Sequence, residues 1–152
     1  MGDNNNEYDE VLDKFISPLL KSLNIDKDYL FISPGNHDIQ RSQINEIYEL
    51  GLNAKLTNCA EVNKYLDSNY QKFFKQLSSY NNFRDRVTSA YKVKSNILYS
   101  TYCFDIKDYK VGIVCLNSVW RTSAEGSYRD YGKLIIGERQ IDNAVNDIDS
   151  AV

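Results

Sequence analysis

Histidine is nearly absent from this chain of 152 residues: His37 is the only one. That scarcity excludes, within these residues, any metal centre built on several imidazoles. The three cysteines, Cys59, Cys103 and Cys115, are odd in number and lack the close spacing of a metal site. Cys103 and Cys115 fall inside apolar runs, where a buried free thiol is expected, so a reducing, cytoplasmic setting follows. No apolar run approaches the roughly 20 residues of a membrane span. The opening Met1-Gly-Asp-Asn-Asn-Asn6 has no apolar signal core, and Asn6 stands where a myristoylation signature needs Ser or Thr. Positive charge is not in excess either. A net charge of −3 offers no basic surface for nucleic acid. No Gly-x-Ser-x-Gly elbow occurs, which leaves Ser33 and Ser118 as loose candidates for a serine esterase using His37 as base.

What is present is ordinary for a soluble globular protein. Hydrophobic residues make up 42% and charged residues 26%, enough for one domain with a real core. Residues 7–24 have apolar positions at helical spacing (Val11, Leu12, Phe15, Ile16, Leu19, Leu20, Leu23), with Pro18 expected to kink the helix or split it after Ser17. A short strand, Tyr29–Ile32, is expected next, then a polar loop and a helix from about Ile39 to Leu50 that Gly51 would stop. Residues 57–92 contain neither Gly nor Pro and read as mostly helical and rich in aromatics. They form either a layer on the sheet or a lid beside a site. Ile97–Ile106 and Tyr109–Asn117 read as an antiparallel hairpin turning at Lys107-Asp108. The second run is apolar nearly throughout, as in a strand buried on both faces. A loop follows, carrying Trp120, Arg121, Glu125, Arg129 and Asp130, then Leu134-Ile-Ile136 and a helix from Glu138. Arg121 and Arg129 are placed either on substrate phosphate, through paired hydrogen bonds, or on a solvated surface with Glu125 and Asp130. Helix, strand and helix in this order describe an α/β layer.

The most informative segment is Tyr29-Leu-Phe-Ile-Ser-Pro-Gly-Asn-His-Asp38. An apolar strand ending in Pro34-Gly35 would hold Asn36, His37 and Asp38 at the carboxyl edge of a sheet, where open α/β sheets place ligands. An amide oxygen, an imidazole and a carboxylate together suit a metal ion and a phosphoryl oxygen. The plainer reading is a structural turn, with Asp38 capping the following helix.

Gly35-Asn-His-Asp38 after an apolar strand resembles the signature of calcineurin-like metallophosphoesterases. The order of the remaining elements, through Leu116-Asn-Ser118 and the helix led by Gly137-Glu-Arg-Gln140, is similar to that family from about Glu7 onward. The resemblance implies an α/β fold, a partial metallophosphoesterase-type sandwich in which a mixed sheet is flanked by helices. Residues 1–152 would form one partial domain, with a helical insertion at about 52–95. It implies a phosphoric ester hydrolase, phosphomonoesterase or phosphodiesterase, that uses two divalent ions (manganese, iron or zinc) on a phosphate ester substrate. Asn36 would give an oxygen to one metal, His37 would face the leaving-group oxygen, and Asp38 would orient His37. Asp3, in Gly2-Asp3, is a tentative metal ligand and otherwise a loop residue.

The family's Asp-x-His pair, its further histidine and its late Gly-His-x-His are missing from these residues. The resemblance therefore implies an internal fragment, truncated at both ends, with the missing ligands before Met1 and after Val152. By itself such a piece is expected to bind no metal stably and to be catalytically silent. The alternative is a phosphoesterase-like scaffold that serves as a non-catalytic interaction module.

Overall fold

A computed structural model describes residues 5–68, 74–122 and 134–151. Its elements are α1 (Asn5–Val11), a π-helical turn (Leu12–Ile16), α2 (Ser17–Leu23), α3 (Glu46–Lys55), α4 (Cys59–Leu66) and α5 (Ser78–Arg86). Then come β1 (Lys92–Ser95), β2 (Tyr99–Ile106), β3 (Tyr109–Leu116) and α6 (Glu138–Asp149). Short 3₁₀ turns lie at Lys27–Tyr29, Asn36–Asp38, Arg41–Gln43 and Lys75–Leu77.

The three strands form one antiparallel sheet in the order β1-β2-β3. The hairpin has the expected register, Ile106 opposite Tyr109 and Tyr99 opposite Leu116. It turns tightly because Lys107 adopts a left-handed φ of 54°. Alternation along β2 sends Tyr99, Thr101 and Cys103 to one face and Ser100, Tyr102 and Phe104 to the other. Helix α6 covers the first face: Tyr99 donates from its hydroxyl to Asp147 at 2.7 Å, and Lys94 reaches the same carboxylate at 2.9 Å. The second face is covered by aromatics of the segment before the polar loop. Phe31 packs on Tyr102 and Phe104 at centroid distances of 4.7 and 5.7 Å, and Tyr29 meets Phe104 edge-on.

Two cores result. One joins α3, α4 and α6 to the sheet through Leu52, Val62, Leu66, Leu98, Trp120 and Ala144. The other gathers Tyr8 of α1, Ile39, Leu77, Tyr80 and Phe83 of α5, and Val119.

The fold is thus α/β with helices flanking a sheet, and several local expectations need correction. Among the described residues the sheet is wholly antiparallel rather than mixed. Tyr29–Ile32 is not a strand: Tyr29 ends a 3₁₀ turn, and Leu30 onward runs extended without ladder partners, held by its aromatic contacts. The helix expected at Ile39–Leu50 begins only at Glu46, where the Asn45 side chain accepts from the Tyr48 N–H at 3.0 Å. It continues through Gly51 to Lys55. Gly51 stops nothing because it has ordinary helical neighbours and no left-handed φ, whereas Asn24 supplies that conformation at the end of α2. At Pro18 the α-helical run is divided, with α1 ending at Val11 and α2 starting at Ser17. The π-helical turn directly before it, closed by the Ser17 N–H to the Leu12 carbonyl, widens the backbone where Pro18 would clash.

The stretch expected to be helical yields α4 and α5, but it ends in a strand, β1, from Lys92. β3 is not buried on both faces. It is one of the sheet's two outer strands among the described residues, half covered on the α6 side, with Tyr109 75% exposed.

Candidate functional site

The turn Asn36–Asp38 is closed by two reciprocal hydrogen bonds. The Asp38 N–H donates to the Gly35 carbonyl at 3.0 Å, and the Gly35 N–H donates to Asp38 Oδ2 at 2.8 Å. The other carboxylate oxygen, Oδ1, accepts from the Tyr8 hydroxyl at 2.8 Å. Tyr8 is buried and stacked on Phe83, with centroids 4.9 Å apart. Its phenol is held well above its ordinary titration range, first by burial and then by the bond to Asp38. Downstream, Ile39 is buried in the second core. The Gln40 N–H donates to the Gln76 carbonyl at 2.7 Å, and Gln40 Oε1 accepts from Ser78 Oγ at 2.6 Å and from the Ser79 N–H at the start of α5. The loop is therefore fixed to α1 and α5 through the side chains of Asp38, Ile39 and Gln40.

Asn36 and His37 are the exposed residues of this turn. Placed side by side on a pinned backbone, they present an amide and an imidazole to solvent. Asp38 is expected to orient His37, its neighbour in the turn. No hydrogen bond joins the two among the described residues, and both carboxylate oxygens are engaged by Gly35 and Tyr8. The structural-turn reading of Asp38 is the one its contacts support, although it locks a 3₁₀ turn and not a long helix. Gly35 has φ of −106°, and an added Cβ would meet nothing closer than Asp38 Oδ2 at 3.7 Å. The turn therefore does not need glycine for its own conformation.

Asp3, the tentative metal ligand, lies outside the described residues, as do Glu125, Arg129 and Asp130. Arg121 does not face solvent. It is 6% exposed, and its guanidinium donates to Glu49 at 2.6 Å and to Asn53 at 2.5 Å, binding the strand-end loop to α3.

Two divalent ions need several carboxylate or imidazole donors converging within a few ångströms. Among the described residues no three His, Cys, Asp or Glu side chains gather in that way. With Asp38 engaged, only the Asn36 oxygen and the His37 ring are open at the turn. The residues described here do not fit a two-metal centre.

Sequence reasoning missed Tyr8 and Gln40, which build the turn's surroundings, and read Gln140 only as part of the lead of the last helix. A usable signal existed in the spacing. Gly35 to Asp38 and Gly137 to Gln140 are both three apart, and both close the same reciprocal ring. Gln140 Oε1 accepts from the Gly137 N–H at 2.9 Å, and its own N–H donates to the Gly137 carbonyl at 3.0 Å. Gln140 Nε2 also donates to the carbonyls of Leu98 and Asn117 at 3.0 and 2.9 Å, so it ties α6 to both strands of the hairpin. Compared with protein-family models, with curated proteins and with solved structures, the chain matches none.

Proposed function

We propose that this chain carries the substrate-facing turn of a phosphoric ester hydrolase of the metallophosphoesterase type. On this reading its three-stranded sheet and helices belong to that family's sandwich. The observation that carries the proposal is the pairing of exposed Asn36 and His37 on a turn whose backbone is fixed by Asp38, Ile39 and Gln40. A side chain that must meet a leaving-group oxygen needs a rigid base and open access, and His37 has both. Its task is proton transfer to that oxygen or stabilisation of the charge developing there, a contribution of about 10²–10⁴-fold in rate. Asp38 acts as a positioning residue by holding the turn. The two divalent ions of this reading, manganese, iron or zinc, require donors other than those described, with Asn36 adding one amide oxygen. The 152 residues by themselves are therefore silent toward phosphate esters.

The test uses a chromogenic phosphodiester and the full-length gene product. His37→Ala and Asn36→Ala are each expected to lower kcat/KM by about 10²-fold or more. Activity equal to wild type in both variants removes the proposed roles. For the 152-residue chain, elemental analysis after incubation with manganese or zinc is expected to give fewer than two tightly bound ions. Stoichiometric binding of two would overturn the proposed silence.

A second reading is favoured by one observation, the commitment of both Asp38 oxygens to Tyr8 and Gly35. A scaffold that has given up catalysis would keep this structural role of Asp38 and dispense with the ligands. A full-length product inactive toward phosphate esters over a broad metal screen would favour that interaction module.

A further inference from the structure

A narrow cleft lies beside Pro34, between the loop, α5 and the ends of β2 and β3. It is partly open and has room for about one water-sized atom. We infer that this cleft is an oxyanion subsite that takes a single phosphoryl oxygen, with the Tyr80 hydroxyl and the Arg84 guanidinium as its donors.

Three observations carry the assignment. First, Tyr80 is 4% exposed, and its hydroxyl is buried with no hydrogen-bond partner among the described residues. Native folds rarely leave such a donor idle, so an unpaired hydroxyl at a cleft points to a ligand atom. Second, Arg84 is 6% exposed and lines the same cleft. Its Nη1 donates to the Asn96 carbonyl at 2.8 Å and its Nε to Asp85 at 3.2 Å, which leaves Nη2 uncommitted. Third, no carboxylate lines the cleft. The Cys115 thiol there is pushed up by burial and remains neutral, as does the Tyr80 phenol. The walls thus offer donors and one permanent positive charge, and the space admits one atom. An anionic oxygen satisfies all three.

The choice of a phosphoryl over a carboxylate oxygen rests on the phosphoric-ester reading of the neighbouring turn; the donors do not. The experiment is an NMR titration of the 152-residue protein with inorganic phosphate, following the Arg84 side-chain N–H signals, with Tyr80→Phe in parallel. Tyr80→Phe keeps the buried ring and removes only the idle hydroxyl, so its melting temperature in phosphate-free buffer is expected not to fall. Phosphate is expected to shift the Arg84 signals saturably in the wild type, with a Kd weakened about five-fold or more in Tyr80→Phe. No saturable shift, an equal Kd in the two proteins, or acetate binding as well as phosphate overturns the assignment. A saturable Arg84 response alongside full hydrolysis by a His37→Ala full-length product supports the cleft and sinks the turn's proposed role. Loss of hydrolysis in His37→Ala with a silent Arg84 does the reverse.

Discussion

The Tyr8 hydroxyl donates to Asp38 across 30 residues of sequence, and through this bond the first helix holds the polar turn. Tyr8→Phe keeps the stack on Phe83 and deletes only that bond. It is expected to cost about 1 kcal/mol, or roughly 2–4 °C in melting temperature for a chain of this size. A thermal melt decides it. A melting temperature unchanged from wild type would show that the turn does not depend on α1.

The glycines separate space from conformation. At Gly137 an added Cβ would press on the Leu66 Cδ1 methyl and lie 3.2 Å from Val62 Cγ1, inside the packed contact of α6 with α4. Gly137→Ala is expected to destabilise by about 1–3 kcal/mol. At Gly112 the clash is with Ile148 at 2.8 Å, near the end of α6 where a side chain yields more easily, so the cost should be smaller. Gly35→Ala, which meets no close neighbour, should stay within about 0.5 kcal/mol of wild type. Urea unfolding of the three variants tests the order, and a Gly35→Ala loss as large as that of Gly137→Ala would refute it.

Arg121 and Glu49 form a buried ion pair, 6% and 7% exposed. Removing one partner leaves an uncompensated charge in the interior, at a cost of about 3–5 kcal/mol. Arg121→Met and Glu49→Leu should each unfold at much lower urea, while the double variant recovers most of the loss. Simple additivity in that cycle would count against the pair as a coupled unit.

Alkaline stability has a definite sign. Tyr8, Tyr65, Tyr80 and Tyr102 are all held above the ordinary phenol range, with burial the largest cause for each. Above about pH 10 the unfolded chain releases phenolic protons that the folded one keeps. Their contribution is therefore complete below about pH 10 and is lost as pH rises through the folded values. Urea midpoints are expected to hold steady from pH 8 to 9.5 and to fall beyond pH 10. A flat profile to pH 11 would contradict the burial of these rings.

The hairpin was legible in the sequence because it is local: two strand-like runs and a two-residue turn determine their own pairing. The helix from Glu138 was legible for the same reason, its apolar period being unbroken. Tyr29–Ile32 misled because aromatic and β-branched residues signal a surface to cover, and Phe31 covers the face of β2 without joining its ladder. β3 misled because an apolar strand at the outer edge of a sheet reads like one in the middle. At the site, the exposed pair and its turn were visible in Gly35-Asn-His-Asp38. The turn-closing bond of Asp38 was visible too, as the plainer reading, whereas its second bond was not, since the partner Tyr8 is distant in sequence. The loop arginine was misplaced for a similar reason: Glu49, 72 residues away, is what draws it inside.

Gln140 joins three backbone groups with one amide, and this sets how the molecule comes apart. The C-terminal helix cannot lift away without stripping partners from both strand ends at once. In amide exchange the Gly137 and Asn117 protons should therefore be lost at a common rate. The hairpin and the last helix will open and close as one cooperative block, leaving the N-terminal helices free to fray independently.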